Sequence, residues 1–237
     1  VTTSSIAPGS PAARTGAGVP DASDARLASR AGLTVGALSV LLVALYFVYS
    51  GPPPAWNVLS RSLLTLVIVA ALTVFGVGLA RLLPVDGRGR RTVAGQLSIV
   101  SLLTYGAVIL FATSLEAGTP LAYPDKAMDP TTDGPLAAAM ALAHGPIAHL
   151  WIAMFFLGLV VAVSRSAAPR IVPGWTVRGS VVVAVINLLA VPSLYFGMDA
   201  SNFYAVNGWG ADALVGLITL VWVGFIGLGI GRARRRS

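Results

Sequence analysis

The chain has 237 residues, of which 56% are hydrophobic and only 11% charged; its formal net charge is +7 and it contains no cysteine. Soluble domains carry roughly 25% charged residues because charge covers their surface, so this composition excludes a large water-soluble core and makes lipid the solvent for most of the surface. The missing cysteine excludes disulfides, a thiolate nucleophile and thiolate-held metal or iron–sulfur centres.

Residues 1–28 open the chain as an expected disordered tail, rich in Ser, Thr, Ala, Gly and Pro, with too few large apolar side chains to offset ordering entropy. From residue 29 to 231 the sequence reads as a bundle of transmembrane helices, and 232–237 as a short basic tail. Crossing about 30 Å of hydrocarbon takes roughly 20 apolar residues, and six stretches are long enough. The first runs from Ala31 to Tyr49 and stops at Gly51-Pro52-Pro53-Pro54, which cannot continue a helix. The second runs from Val58 to Leu83 and stops at Pro84. The third covers Thr92 to Leu115. A fourth lies within Leu136 to Ser164, the fifth runs from Val177 to Phe196, and the sixth from Ala211 to Ile230. Uninterrupted apolar runs favour helices over the alternating strands of an outer-membrane barrel. The expected fold is therefore all-α, a polytopic bundle of six spans.

Orientation follows from arginine and lysine in the short loops. Arg14, Arg26 and Arg30 precede the first span, and Arg81, Arg88, Arg90 and Arg91 follow the second. Arg165, Arg170 and Arg178 lie between the fourth and fifth, and Arg232, Arg234, Arg235 and Arg236 end the chain. The opposite side receives only Arg61 and Lys126, with Glu116, Asp125, Asp129, Asp133, Asp199 and Asp212 among its acids. Every loop agrees with both termini in the cytoplasm. The positive charge thus reports topology in the cytoplasmic (inner) membrane and gives no reason to expect nucleic acid. One lysine against fifteen arginines, with abundant Ala, Gly and Val, is the composition of a high-GC bacterial genome.

Few polar residues fall within the spans. His144 and His149 are the only histidines, and a histidine in a membrane helix is a candidate functional group. Five residues on an ideal helix leave the two rings about 140° apart, which does not suit a shared metal. Haem would want its second axial histidine from another helix, and none offers one. The expectation is two interfacial side chains bonded to neighbouring helices or water, with Pro146 the feature that would change their azimuth. Asn187, near the middle of the fifth span, is expected to bond across to another helix, and Pro192 to bend that helix. Asp212 sits in the first turn of the sixth span, where a carboxylate suits the positive helix end, beside Trp209 in the interfacial aromatic belt. The acidic loop from Ala117 to Pro135 matches no calcium-loop pattern. Gly32-xxx-Gly36 and Gly227-xxx-Gly231 fit the small-residue pattern for close helix contact and would permit oligomerisation.

The chain has no Walker loop, no His-Glu-x-x-His and no Gly-x-Ser-x-Gly, so ATP-driven work and intramembrane proteolysis are not expected. The turn Arg170-Ile171-Val172-Pro173-Gly174-Trp175, followed by Gly179-Ser180-Val181 and Asn187-Leu188-Leu189, resembles a group of uncharacterised six-helix integral membrane proteins of actinobacteria. The resemblance covers roughly the last hundred residues and implies the same topology, with no activity and no site residues. Scarcity of polar groups in the spans favours a non-enzymatic accessory, scaffold or regulatory protein whose partners are the bilayer and another membrane protein or a second copy of the chain. The alternative is a small-solute channel or transporter, with a ligand site drawn from His144, His149, Asn187 and Asp212; a haem or metal redox protein comes third. No catalytic residue, metal ligand or cofactor is assigned.

Overall fold

A computed structural model describes residues 22–49, 51–85, 89–126, 128–134, 136–166 and 171–235. Among these every regular element is a helix, apart from one isolated β-bridge between Val85 and Arg91. Six helices are long and apolar enough to cross a membrane: α1 (Ala22–Tyr46), α2 (Ala55–Leu82), α3 (Val93–Ala122), α4 (Ala137–Ser164), α5 (Gly174–Tyr195) and α6 (Gly210–Arg234). This is the architecture of a multi-pass integral membrane protein. The segment expected as a tail falls partly in α1, which is helical from Ala22; residues 1–21 lie outside the described residues.

Proline and threonine set the helix limits. Pro54 is extended at the start of α2, and Leu83 is extended at its end because Pro84 disfavours helical geometry in the residue before it. The Thr92 hydroxyl caps α3 by accepting the Gly95 N–H at 3.2 Å. At the far end of α5, Pro192 cannot donate the next helical bond, and the chain tightens into a 3₁₀ turn over Val191–Tyr195.

The helices form a closed ring in chain order, each packing on its sequence neighbours and α6 returning to α1. Lipid supplies no hydrophobic force between helices, so contact depends on close packing and internal polar bonds. Glycine makes the closing seam. A Cβ on Gly36 would stand 3.0 Å from the Gly224 Cα, and one on Gly32 3.1 Å from the Gly227 Cα. Gly231, the other residue of the second motif, faces the Ser29 hydroxyl. Both small-residue motifs are therefore used on one another within the chain. The outer surface carries large apolar side chains such as Leu63, Val100, Phe111, Val182 and Leu189, as a lipid-facing surface requires.

Alternating helix directions give the ring two unlike ends. The arginine-rich end carries the start of α1, the end of α6 and the α2–α3 and α4–α5 connections. The acidic end carries the other three. Toward the arginine-rich end the interior is filled by Phe75, Leu79, Phe155, Phe156, Ile226 and Ile230. Toward the acidic end it is not.

Candidate functional site

Polar side chains converge in the half of the ring nearer the acidic end. Arg61 lies six residues into α2 and Glu116 six residues before the end of α3, each about 9 Å along its helix at 1.5 Å per residue. Because α2 starts and α3 finishes at the same end, the two charges meet at one depth. Arg61 Nη2 is 3.1 Å from Glu116 Oε1, and both side chains are about 95% buried (4% and 5% exposed). The guanidinium also lies over the Tyr46 ring, 4.1 Å from its centroid. The sequence reading counted Arg61 and Glu116 toward the external side; the structure buries both inside the ring. Tyr46, Arg61 and Glu116 together join α1, α2 and α3.

The other three helices have a tie of their own. His149 Nδ1 is 2.8 Å from Asn187 Oδ1, and Nε2 is 2.6 Å from the Ala211 carbonyl oxygen. Asn187 Nδ2 donates to Thr219 Oγ1 at 2.8 Å and to the Val183 carbonyl at 2.9 Å. The α4–α5–α6 side is thus held by a network in which His149, Asn187 and Thr219 are all buried. The bond expected from Asn187 to another helix is present, and its partners are α4 and α6.

His144 reaches the same interior through a break in α4. Pro146 withholds a backbone donor, Gly145 takes non-helical angles (φ −87°, ψ −110°), and residues Ala143–Ile147 wind as a π turn. Such a bulge re-aims side chains and is frequent at functional sites. The azimuth expected of an ideal helix does not apply here, and His144 and His149 face one cavity.

That cavity has a volume of about 100 Å³ and receives side chains from all six helices, among them Tyr46, Thr65, Glu116, His149, Asn187 and Asp212. His144 and Tyr105 also line it, so all four candidates from the sequence, His144, His149, Asn187 and Asp212, share one space. Asp212 was expected to complement a helix end; its carboxylate instead borders the cavity with no hydrogen-bond or ion-pair partner among the described residues. An apolar cavity of about 150 Å³ accommodates benzene, so this smaller space suits a few waters or a solute of about four or five heavy atoms. A porphyrin does not fit. Among the described residues no three His, Asp or Glu side chains are grouped to hold a metal ion.

The loops at the acidic end are built on their own carboxylates. Asp129 Oδ1 accepts the Thr131 N–H (2.9 Å) and hydroxyl (2.7 Å), and Asp133 Oδ2 accepts the Asp129 N–H (3.0 Å). Asp199 Oδ1 likewise accepts the Ser201 hydroxyl (2.6 Å) and N–H (2.9 Å). Those bonds, the hydroxyl's first, hold the Asp199 carboxyl below its ordinary value. The α5–α6 connection folds back over the π turn, burying Ala205 and Val206, with the Val206 carbonyl against Gly145. Asn207 Nδ2 reaches the Thr131 carbonyl at 3.4 Å, linking the two loops.

Sequence reasoning missed Arg61, Glu116, Tyr46 and Tyr105. The available signal was two opposite charges at equal depth in successive antiparallel spans. Compared with protein-family models, curated proteins and solved structures, the chain matches none.

Proposed function

We propose that this chain is a small-solute transporter whose binding site is the cavity enclosed by its six helices, in a conformation closed at the arginine-rich end. One observation carries the reading: polar side chains from every helix converge on a single interior space. Ionisable groups within membrane spans are costly and mark solute or ion pathways by default. The scarcity of polar residues favoured an accessory role only while those residues were taken as scattered. A scaffold would also need helix faces free for a partner, and the glycine motifs best suited to that close the chain's own ring.

In this reading the two three-helix sides are the moving parts. Each has a private polar tie, Arg61–Glu116 on one and His149–Asn187 on the other. The space between them is where a solute would be gripped, and rocking one side against the other would change which end is open. The arginine excess supports a closed end facing the cytoplasm of a bacterial cell and an acidic end facing outward from the inner membrane. The likeness of Arg170–Leu189 to six-helix actinobacterial membrane proteins belongs to the same reading.

Gly216 offers a direct test. It borders the cavity, and a Cβ there meets no atom within 4 Å, so a side chain added at this position starts into open space and takes up room in the site. Proteoliposomes are loaded by osmotic shock with urea, acetamide, glycerol or n-butylammonium and followed by stopped-flow light scattering. The reading expects at least one solute to cross faster than through protein-free vesicles, and Gly216→Phe to remove the difference. Flux at the protein-free rate for every solute, or unaffected by Gly216→Phe, overturns it.

A further inference from the structure

We propose that the solute this cavity takes is a small organic cation, a protonated alkylamine of about four or five heavy atoms, with the Asp212 carboxylate as its counter-ion. The inference rests on the reading of the cavity as a solute site and adds the chemistry of the occupant.

Charge is the first argument. Of the two carboxylates on the wall, Glu116 has Arg61 beside it, while Asp212 has no partner among the described residues. Arg61 stands behind Glu116 and does not line the cavity. A solute entering this space therefore meets the Asp212 and Glu116 carboxylates, with Arg61 off the wall beside Glu116 and its Nε and Nη2 making no hydrogen bond. A cation would supply the charge that Asp212 lacks beside it.

Hydrogen bonding points the same way. Glu116 Oε1 is buried and, despite its proximity to Arg61, makes no hydrogen bond of acceptable geometry. A buried acceptor without a donor costs free energy, and an ammonium group brings three donors. Tyr105 also borders the cavity, and an aromatic ring tolerates a cation. Between these polar groups the wall is apolar, with Leu42, Ile68, Leu72 and Leu220, which suits a short alkyl body better than a hydrated inorganic ion. The absence of a three-ligand cluster among the described residues argues against a divalent metal as occupant. Volume limits the occupant to about four or five heavy atoms.

The test compares three probes of five heavy atoms that differ in charge: n-butylammonium, butan-1-ol and propionate. Each is radiolabelled and equilibrated by dialysis with the full chain in nanodiscs, empty nanodiscs serving as the blank. The proposal expects saturable binding of n-butylammonium at least tenfold tighter than of the other two. Asp212→Asn, whose fold is verified by an unchanged thermal midpoint, should weaken that binding at least tenfold. Saturable binding of butan-1-ol or propionate in preference to the amine overturns the cation assignment and leaves the cavity as a solute site. Amine binding that is indifferent to Asp212→Asn overturns the role of that carboxylate. No saturable binding of any probe overturns this inference, and flux without it in the vesicle experiment would leave the transport reading standing alone.

Discussion

Removing one member of the Arg61–Glu116 pair should be among the most damaging single changes in the chain. Both side chains are about 95% buried, with Arg61 Nη2 3.1 Å from Glu116 Oε1. Breaking a buried pair from one side leaves an uncompensated charge and costs about 3–5 kcal/mol. Glu116→Gln keeps the shape and removes the charge, so it should lose about that amount. Arg61→Met should lose more, because the guanidinium also lies 4.1 Å from the Tyr46 ring centroid and such a contact contributes about 0.5–2 kcal/mol. The double variant leaves no unpaired charge, and its cost should fall well below the sum of the singles, giving a coupling energy of a few kcal/mol. Unfolding by SDS in mixed micelles, followed by tryptophan fluorescence, measures all four corners of the cycle. Single variants within about 1 kcal/mol of wild type, or strictly additive ones, would refute the view of this pair as a buried tie between α2 and α3.

Four further outcomes follow from other parts of the fold. Gly36→Leu drives a side chain into the Gly224 backbone, 3.0 Å from where the Cβ would stand, and should destabilise by about 1–3 kcal/mol. Gly118→Ala, which meets nothing within 4 Å, should instead stabilise by about 0.5–1 kcal/mol; the same SDS titration reads both. Asn187→Leu leaves His149 Nδ1 and Thr219 without their side-chain partner and should cost about 1–3 kcal/mol, while Asn187→Gln recovers part of it. Ser201→Ala should raise the Asp199 pKa toward its ordinary value of 3.8, seen by carbon NMR of labelled aspartate. The wild-type carboxyl is depressed in the fold, so its contribution is in place above that value and disappears as the pH falls through the folded pKa.

The six helices were readable because each is an apolar run longer than a membrane requires, ended by proline or charge. Pro84 and the Pro52–Pro54 run mark ends that the structure keeps. Limits shifted where the sequence lacked such a stop: α3 continues past Leu115 to Ala122, passing through Pro120 in its last turn. The small-residue motifs were visible, but linear sequence does not say that Gly32 and Gly36 meet Gly224 and Gly227. His144, His149, Asn187 and Asp212 stood out individually as polar groups in apolar surroundings. That they share a space depends on the Gly145–Pro146 break, which no ideal helix geometry contains, and on the ring bringing α4, α5 and α6 together. Arg61 and Glu116 were counted toward the external side because a count of charges by side ignores depth along a helix.

The most direct test of the account uses the absence of native cysteine. Single cysteines are placed at Gly216, on the cavity wall, and at Leu189, which is 63% exposed on the outer surface, and each is treated in nanodiscs with 2-aminoethyl methanethiosulfonate. Thiolate forms and reacts in water and scarcely at all in lipid. The account predicts modification at Gly216→Cys at least tenfold faster than at Leu189→Cys, and slowed by excess n-butylammonium. Equal, slow labelling at both positions would mean a dry, close-packed bundle and would contradict the central claim.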